Sequence, residues 1–176
     1  MNPSGSDTRT FQMPGNAWPM VKRTVRAYGA SQGNKGSAVQ TVADLADIQR
    51  TVVSANNSFL RSTGILEIES NKLTPLGVRL ATGVGIENAT VITEALQEIA
   101  WTTPVLRQLL STLQARGPMQ TEAFRGQIIL MAGLNENSPT LKNVKTLIDM
   151  LEEGKLIENG RIKCFSCLSP RWKTAP

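Results

Sequence analysis

Apolar residues recur at helical spacing in two neighbouring stretches in the first half of the chain, residues 39–47 and 51–63. The residues that form the two apolar faces are Val42, Leu45 and Ala46 in the first stretch and Val53 and Leu60 in the second. A short connection separates the stretches, and Ile48 is its one apolar residue. The pattern predicts two amphipathic helices joined by a tight turn, which is the helix-turn-helix arrangement.

The residues that follow the second helix are typical of a small hairpin. Gly64 stands where a helix ends on glycine, and the alternation in residues 65–69 predicts a strand. A polar turn at residues 70–72 then leads back into Leu73 and Thr74. An earlier helix is predicted over residues 16–30, because its apolar residues share one face: Trp18, Val21, Val25 and Tyr28.

Three helices followed by a hairpin resemble the winged-helix DNA-binding family, which includes repressors of the MarR and ArsR type. The residues that carry this resemblance are Leu45, Ala46, Arg50, Thr51, Ser54, Phe59, Leu60, Gly64, Ile65, Leu66 and the closing run from Leu73 to Gly77. The resemblance implies that the helix over residues 51–63 enters a major groove. It implies phosphate or minor-groove contact by the turn of the wing.

The same order of elements is predicted a second time. Thr103 and Pro104 begin a helix over residues 105–116, because threonine caps helices and proline favours their first turn. Two further helices are predicted at residues 121–133 and 140–153, and Asn159-Gly160 predicts a tight hairpin turn. Gly154 would then correspond to Gly64. The fold class expected is mainly α with small β-hairpin wings, as two winged-helix units in tandem.

This interpretation divides the chain into five parts. They are a disordered arm (1–15), a first winged-helix domain (16–82), a connecting helix (83–102), a second winged-helix domain (103–168) and a tail (169–176). The connecting helix is expected to pack between the two domains or to form the contact of a homodimer.

The charge of the chain favours a polyanionic partner. Nineteen Lys and Arg against 14 Asp and Glu give a net charge of +5 over 176 residues. Most of this excess lies in residues 1–85, so the first half is the better candidate for contact with phosphate. The sequence has neither the apolar run of a signal peptide nor the apolar length of a membrane span, which predicts a cytoplasmic protein without membrane contact.

The candidate DNA-binding residues lie mainly on the outward face of the second helix. They are Arg50, Thr51, Ser54, Ala55, Ser58 and Arg61, with Lys72 on the first wing and Lys142 and Lys145 in the second unit. Small polar residues let a helix approach the groove floor, and arginine bonds guanine through two hydrogen bonds. Asn56 and Asn57 have two interpretations, since either reads adenine or both are polar residues at the edge of the core.

Other chemistry is poorly supported by the sequence. Cys164 and Cys167 have half the ligands of a zinc site, yet the chain has no histidine and no other cysteine, so unligated thiols are the simpler interpretation. No cofactor is predicted, and without histidine or paired carboxylates no enzyme is predicted. The alternative to a DNA-binding regulator is a protein-interaction adaptor, with the second unit as the partner-binding surface.

Overall fold

A computed structural model describes residues 11–31, 36–117 and 119–158, and the backbone of residues 161–162. This part of the chain is mainly helical, with very little strand. Its helices are α1 (Trp18–Ala30), α2 (Val39–Ala46), α3 (Arg50–Ser62), α4 (Pro75–Gly85), α5 (Ala89–Thr102), α6 (Pro104–Arg116), α7 (Thr121–Met131) and α8 (Ser138–Glu153), followed by strands β1 (Ile157–Glu158) and β2 (Arg161–Ile162). The mainly helical fold class is confirmed.

Polar side chains begin three of the helices. Thr74 accepts a hydrogen bond from the amide of Gly77, Asn88 accepts from the first turn of α5, and Asn137 accepts from the amide of Thr140. Helix α4 was missed, because Thr74 and Pro75 were assigned to the end of a wing although they form the same Thr-Pro start as Thr103 and Pro104.

Helices α2, α3 and α4 pack around α1. The buried face of α1 includes Trp18, Val21, Val25 and Tyr28 as the spacing predicts. Leu45 differs from the prediction: it is 54% exposed, while Val42, Ala43 and Ala46 form the buried face of α2. Helix α2 packs against α1 and α3, and Leu45 lies on its exposed side.

Helix α5 connects the two halves of the chain. It packs against α4 on one side and against α6 and α8 on the other, and the buried apolar residues form one continuous cluster. Glu153, at the end of α8, accepts hydrogen bonds from the Trp18 indole and from Lys22, whose Nζ lies 2.8 Å from Oε1. Thr93 and Gln97 of α5 donate to backbone carbonyls at the same helix end. The halves are therefore in direct contact through α1, α5 and α8.

Both predicted hairpins coincide with paired backbone. The first is minimal, with one bridge between Leu66 and Leu73, and the amide of Thr74 donates to the carbonyl of Ile65 at 3.0 Å. In the second, β1 pairs with β2 in antiparallel fashion, and the turn residues 159–160 lie outside the described residues. Two winged-helix units in tandem remain a prediction.

The prediction of a disordered arm is wrong for residues 11–15, which lie against α3. Residues 1–10 are outside the described part of the chain, as are Cys164, Cys167 and the tail. In the described helices, none combines the length and the apolar character needed to span a membrane.

Candidate nucleic-acid interface

Helix α3 presents a small polar surface to solvent. Its exposed residues are Arg50, Thr51, Ser54, Ala55 and Ser58, all of which were predicted to face outward. The helix contains no Asp or Glu, and Arg50 opens it. A positive charge and hydroxyl groups without a neighbouring carboxylate on the helix form a surface that suits an anionic partner.

A buried polar network fixes the opposite side of α3. Asn56 is 0% exposed and its Nδ2 donates to Thr24 Oγ1 at 3.1 Å, while Asn57 Oδ1 accepts from the hydroxyl of Tyr28 at 3.0 Å. Neither amide faces solvent, so of the two interpretations the structural one holds and reading of adenine by Asn56 or Asn57 is wrong. Their spacing on the apolar side of the helix was the signal for this outcome.

Burial raises the pKa of Tyr28, and the nearby charge of Arg61 acts in the opposite direction. The network therefore holds a neutral phenol between α1 and α3. Because hydrogen bonds are directional, these contacts determine which face of α3 is turned to solvent.

Residues 11–16, which we call the N-terminal strap, run along one flank of α3. The rings of Phe11 and Phe59 meet edge to face with centroids 6.2 Å apart, and the amide of Gln12 donates to Ser62 Oγ at 3.2 Å. At the other end of the strap, Asn16 Nδ2 donates to the carbonyl of Val52 at 3.3 Å. The strap therefore lies antiparallel to α3.

The strap also borders the exposed face of α3, since a Cβ on Gly15 would lie only 2.9 Å from Cβ of Ala55. Ala55 is thus exposed at the edge of the face, beside the strap, while the hydroxyl residues remain open. Sequence reasoning missed this contact, because the Ser, Pro and Gly content of residues 1–15 hides the single aromatic anchor Phe11.

Arg61 is placed differently from the prediction. It is half-buried, its Nη2 donates to Asn71 Oδ1 at 2.7 Å, and its buried Nε has no partner among the described residues. The guanidinium thus joins the end of α3 to the turn of the first hairpin. Lys72, in that turn, is exposed, and its Nζ lies 3.8 Å from Glu67 Oε1.

In the second half, Lys142 and Lys145 are exposed, but Lys145 forms an ion pair with Asp149 at 2.9 Å. Thr146, one turn after Lys142, is buried and its hydroxyl donates to the carbonyl of Lys142 at 3.2 Å. That face of α8 is consequently less cationic than the residue types alone suggest.

Arg23 of α1 lies at the tight turn between α2 and α3. Its Nη2 donates to the carbonyl of Ala46 at 2.6 Å and lies 3.9 Å from Asp47 Oδ2. The side chain is about half exposed. Arg23 therefore holds the end of α2 and adds positive charge close to the start of α3.

No family model matches this chain, and no curated protein or solved structure matches it either. Among the described residues, no three His, Cys, Asp or Glu side chains come together as a metal site would require. Helix α3 and its surroundings are therefore the features from which a function can be inferred.

Proposed function

We propose that this protein binds double-stranded DNA through the exposed face of α3, as a transcriptional regulator or a DNA-handling accessory factor built from tandem winged-helix units. The observation that carries the proposal is the carboxylate-free face of Arg50, Thr51, Ser54 and Ser58, held outward behind a turn formed by residues 47–49. Such a short turn between two helices is typical of the helix-turn-helix arrangement.

The size of the side chains on α3 suits insertion into a major groove. Short hydroxyl side chains let the helix axis approach the base edges, where Ser and Thr donate to or accept from several base atoms. Arg50 lies at the helix N-terminus, where it reaches either guanine or a flanking phosphate. Lys72 on the first hairpin supplies a contact to the neighbouring backbone. Arg61 has a positioning role, because it orients the hairpin relative to α3 through Asn71.

Binding to random duplex DNA over a range of salt concentrations tests this proposal. We expect the logarithm of the association constant to fall linearly with the logarithm of the salt concentration, because phosphate contacts release bound cations. The variant Arg50→Glu should weaken binding at least about tenfold and reduce the salt slope by about one, as expected for the loss of one phosphate contact.

The matched control for Arg50→Glu is Arg107→Glu, an exposed arginine on α6 far along the chain from α3. It changes the net charge equally. If both variants lose the same amount of DNA affinity, the loss reflects total charge alone and contradicts the assignment of α3 as the DNA-binding helix. A second variant, Ser54→Glu, places a carboxylate at the centre of the face without touching the core, and should weaken binding by a similar factor.

A protein-interaction adaptor is the second candidate function. It is favoured by exposed leucines in the second half, of which Leu130 is 74% exposed, Leu134 39% and Leu141 37%. Helix α8 also carries Asp149, Glu152 and Glu153, which oppose phosphate. If duplex DNA does not bind at low salt, the adaptor becomes the better proposal, with the second half as its binding surface.

A further inference from the structure

A cavity of about 390 Å³ opens between the N-terminal strap and the second half of the chain. Its walls come from the strap, from the connection between α7 and α8, and from the first turns of α8. The lining residues are Phe11, Gln12, Met13, Ala132, Leu134, Asn137, Pro139, Thr140 and Asn143. The volume falls within the range of small-molecule sites, and the place where separate parts of a chain meet is where such sites are common.

Thr140 adds a hydroxyl-bearing side chain to the lining of the cavity. The residue as a whole is 8% exposed, and its backbone amide donates to Asn137 Oδ1 at 2.9 Å. A hydroxyl both donates and accepts hydrogen bonds, so that of Thr140 is available to a molecule that enters the cavity.

We infer that this cavity binds a small uncharged ring compound that carries an amide or carbonyl group. The apolar walls from Phe11, Leu134 and Pro139 suit the body of a ring. The side-chain amides of Gln12, Asn137 and Asn143 and the Thr140 hydroxyl both donate and accept hydrogen bonds.

No lining residue carries a charge, so a charged ligand would lose its hydration without an opposite charge to replace it. The uncharged lining therefore favours a neutral compound.

The same strap residues connect the cavity to α3. Phe11 lines the cavity and packs against Phe59, and Gln12 lines it and donates from its amide to Ser62. A compound in the cavity therefore contacts residues that also touch the C-terminal end of α3. A compound bound in the cavity would change the surroundings of that helix end whether or not α3 binds DNA. This inference therefore does not depend on the proposed function.

Titration of the isotope-labelled 176-residue protein with benzamide, followed by NMR, tests the inference. Benzamide is a neutral ring compound with one amide group. We expect saturable shifts of the side-chain amide signals of Gln12, Asn137 and Asn143 and of the backbone amide of Thr140. The backbone signals of Phe59 and Ser62 should follow the same saturation curve. Benzoate, which has the same ring and a negative charge, should bind at least about tenfold more weakly.

Two variants decide whether the shifts come from this cavity. Thr140→Val keeps the shape of the side chain and the backbone cap but removes the hydroxyl, and should weaken benzamide binding about fivefold. Ala132→Phe places a ring into the cavity and should abolish the saturable shifts. Thr82→Val, at an exposed position of α4, is the matched control and should bind benzamide as the unmodified chain does.

The inference is overturned if benzamide produces no saturable shift at the lining residues, or if Ala132→Phe and Thr140→Val both bind it unchanged. Equal affinity for benzoate overturns the assignment of an uncharged ligand. Shifts at the lining residues without any at Phe59 and Ser62 support the site and overturn its connection to α3.

Discussion

Helices α3 and α8 hold the same place in the two halves of the chain, as the third of three helices and the one that leads into a hairpin. Both are followed by a residue in the left-handed conformation, Gly64 with φ 72° and Lys155 with φ 53°. The next amide donates back into the last helical turn in both, at 2.8 Å after α3 and 3.0 Å after α8. Gly64 therefore corresponds to Lys155, and the predicted correspondence with Gly154 is wrong by one residue.

This alignment shows two different ways of holding a helix against its neighbours. The positions that are apolar and buried in both helices are Val53, Phe59 and Leu60 in α3 and Val144, Met150 and Leu151 in α8. Between them, Asn56 and Asn57 of α3 correspond to Leu147 and Ile148 of α8. At these two positions α3 packs through directional hydrogen bonds, whereas α8 packs through apolar side chains.

The outward faces of the two helices also differ. Arg50, Thr51, Ser54 and Ser58 of α3 correspond to Leu141, Lys142, Lys145 and Asp149 of α8. The turn before α3 spans residues 47–49, but the one before α8 spans residues 132–137. A short preceding turn and a helix without Asp or Glu are therefore combined in α3 and not in α8, while the longer connection before α8 forms a wall of the cavity.

The substitution Ile148→Asn should have the largest effect on stability, because it places in α8 the amide that α3 carries at the equivalent position. Ile148 is buried and has no network around it, so the change loses apolar burial and leaves an amide unsatisfied. We expect the free energy of unfolding to fall by about 3 kcal/mol, measured by urea denaturation. The control Leu141→Asn, at a 37% exposed position, should cost less than about 1 kcal/mol. Equal costs would contradict the contrast between the two helices.

The reverse substitution, Asn57→Leu, should cost about 2 kcal/mol, since it leaves the buried hydroxyl of Tyr28 without its acceptor. Combining it with Tyr28→Phe removes both members of the hydrogen bond, and should recover most of that loss. A double-mutant cycle from urea denaturation measures the coupling, which we expect to exceed about 1 kcal/mol. Additive effects of the two substitutions would mean that the hydrogen bond does not orient α3.

The sequence predicted the helices that have strong local signals. The Thr103-Pro104 start of α6 and the helices expected over residues 105–116 and 140–153 depend on neighbouring residues, so the local pattern was sufficient. Helix α4 has an equally strong start at Thr74 and Pro75, and was missed because a wing ending was expected there. Local patterns predicted the positions of these helices, but assignment to a family pattern obscured one of them.

The contacts around α3 could not be predicted from local pattern. Tyr28 is separated from Asn57 by 29 residues, and Gln12 from Ser62 by 50. Periodicity indicates which side of a helix is buried but not which partner a buried amide meets. The outward direction of Arg50, Ser54 and Ser58 was predictable, whereas the position of Arg61 was not, because it depends on the turn residue Asn71.

Exchanging the residue types at Gly64 and Lys155, the two positions with left-handed backbone, should change the stability by a smaller amount. Gly64→Lys introduces a side chain into open space, so its cost of about 1 kcal/mol comes from the backbone conformation alone. Lys155→Gly relieves the same strain after α8 and should stabilise the fold by up to about 1 kcal/mol. Thermal unfolding of the two variants and of the double variant measures both changes. If Gly64→Lys costs nothing, the two helix ends are not equivalent in conformation.

The smallest expected effect is the change of folding stability with pH. It concerns the first half alone, because Tyr28 is the one tyrosine of the chain. Burial raises the pKa of this residue in the folded protein. An unfolded tyrosine loses its proton near pH 10, so below that pH the contribution of Tyr28 to stability is fully present. Above it the unfolded state binds fewer protons than the folded state, and stability is lost as pH rises through the folded pKa.

The absorbance of the phenolate reports this titration directly, since no second tyrosine contributes. We expect its midpoint to lie above that of the urea-unfolded chain. A midpoint at or below the unfolded value would mean that Tyr28 is hydrated. In that case α3 would lack the buried anchor that distinguishes it from α8.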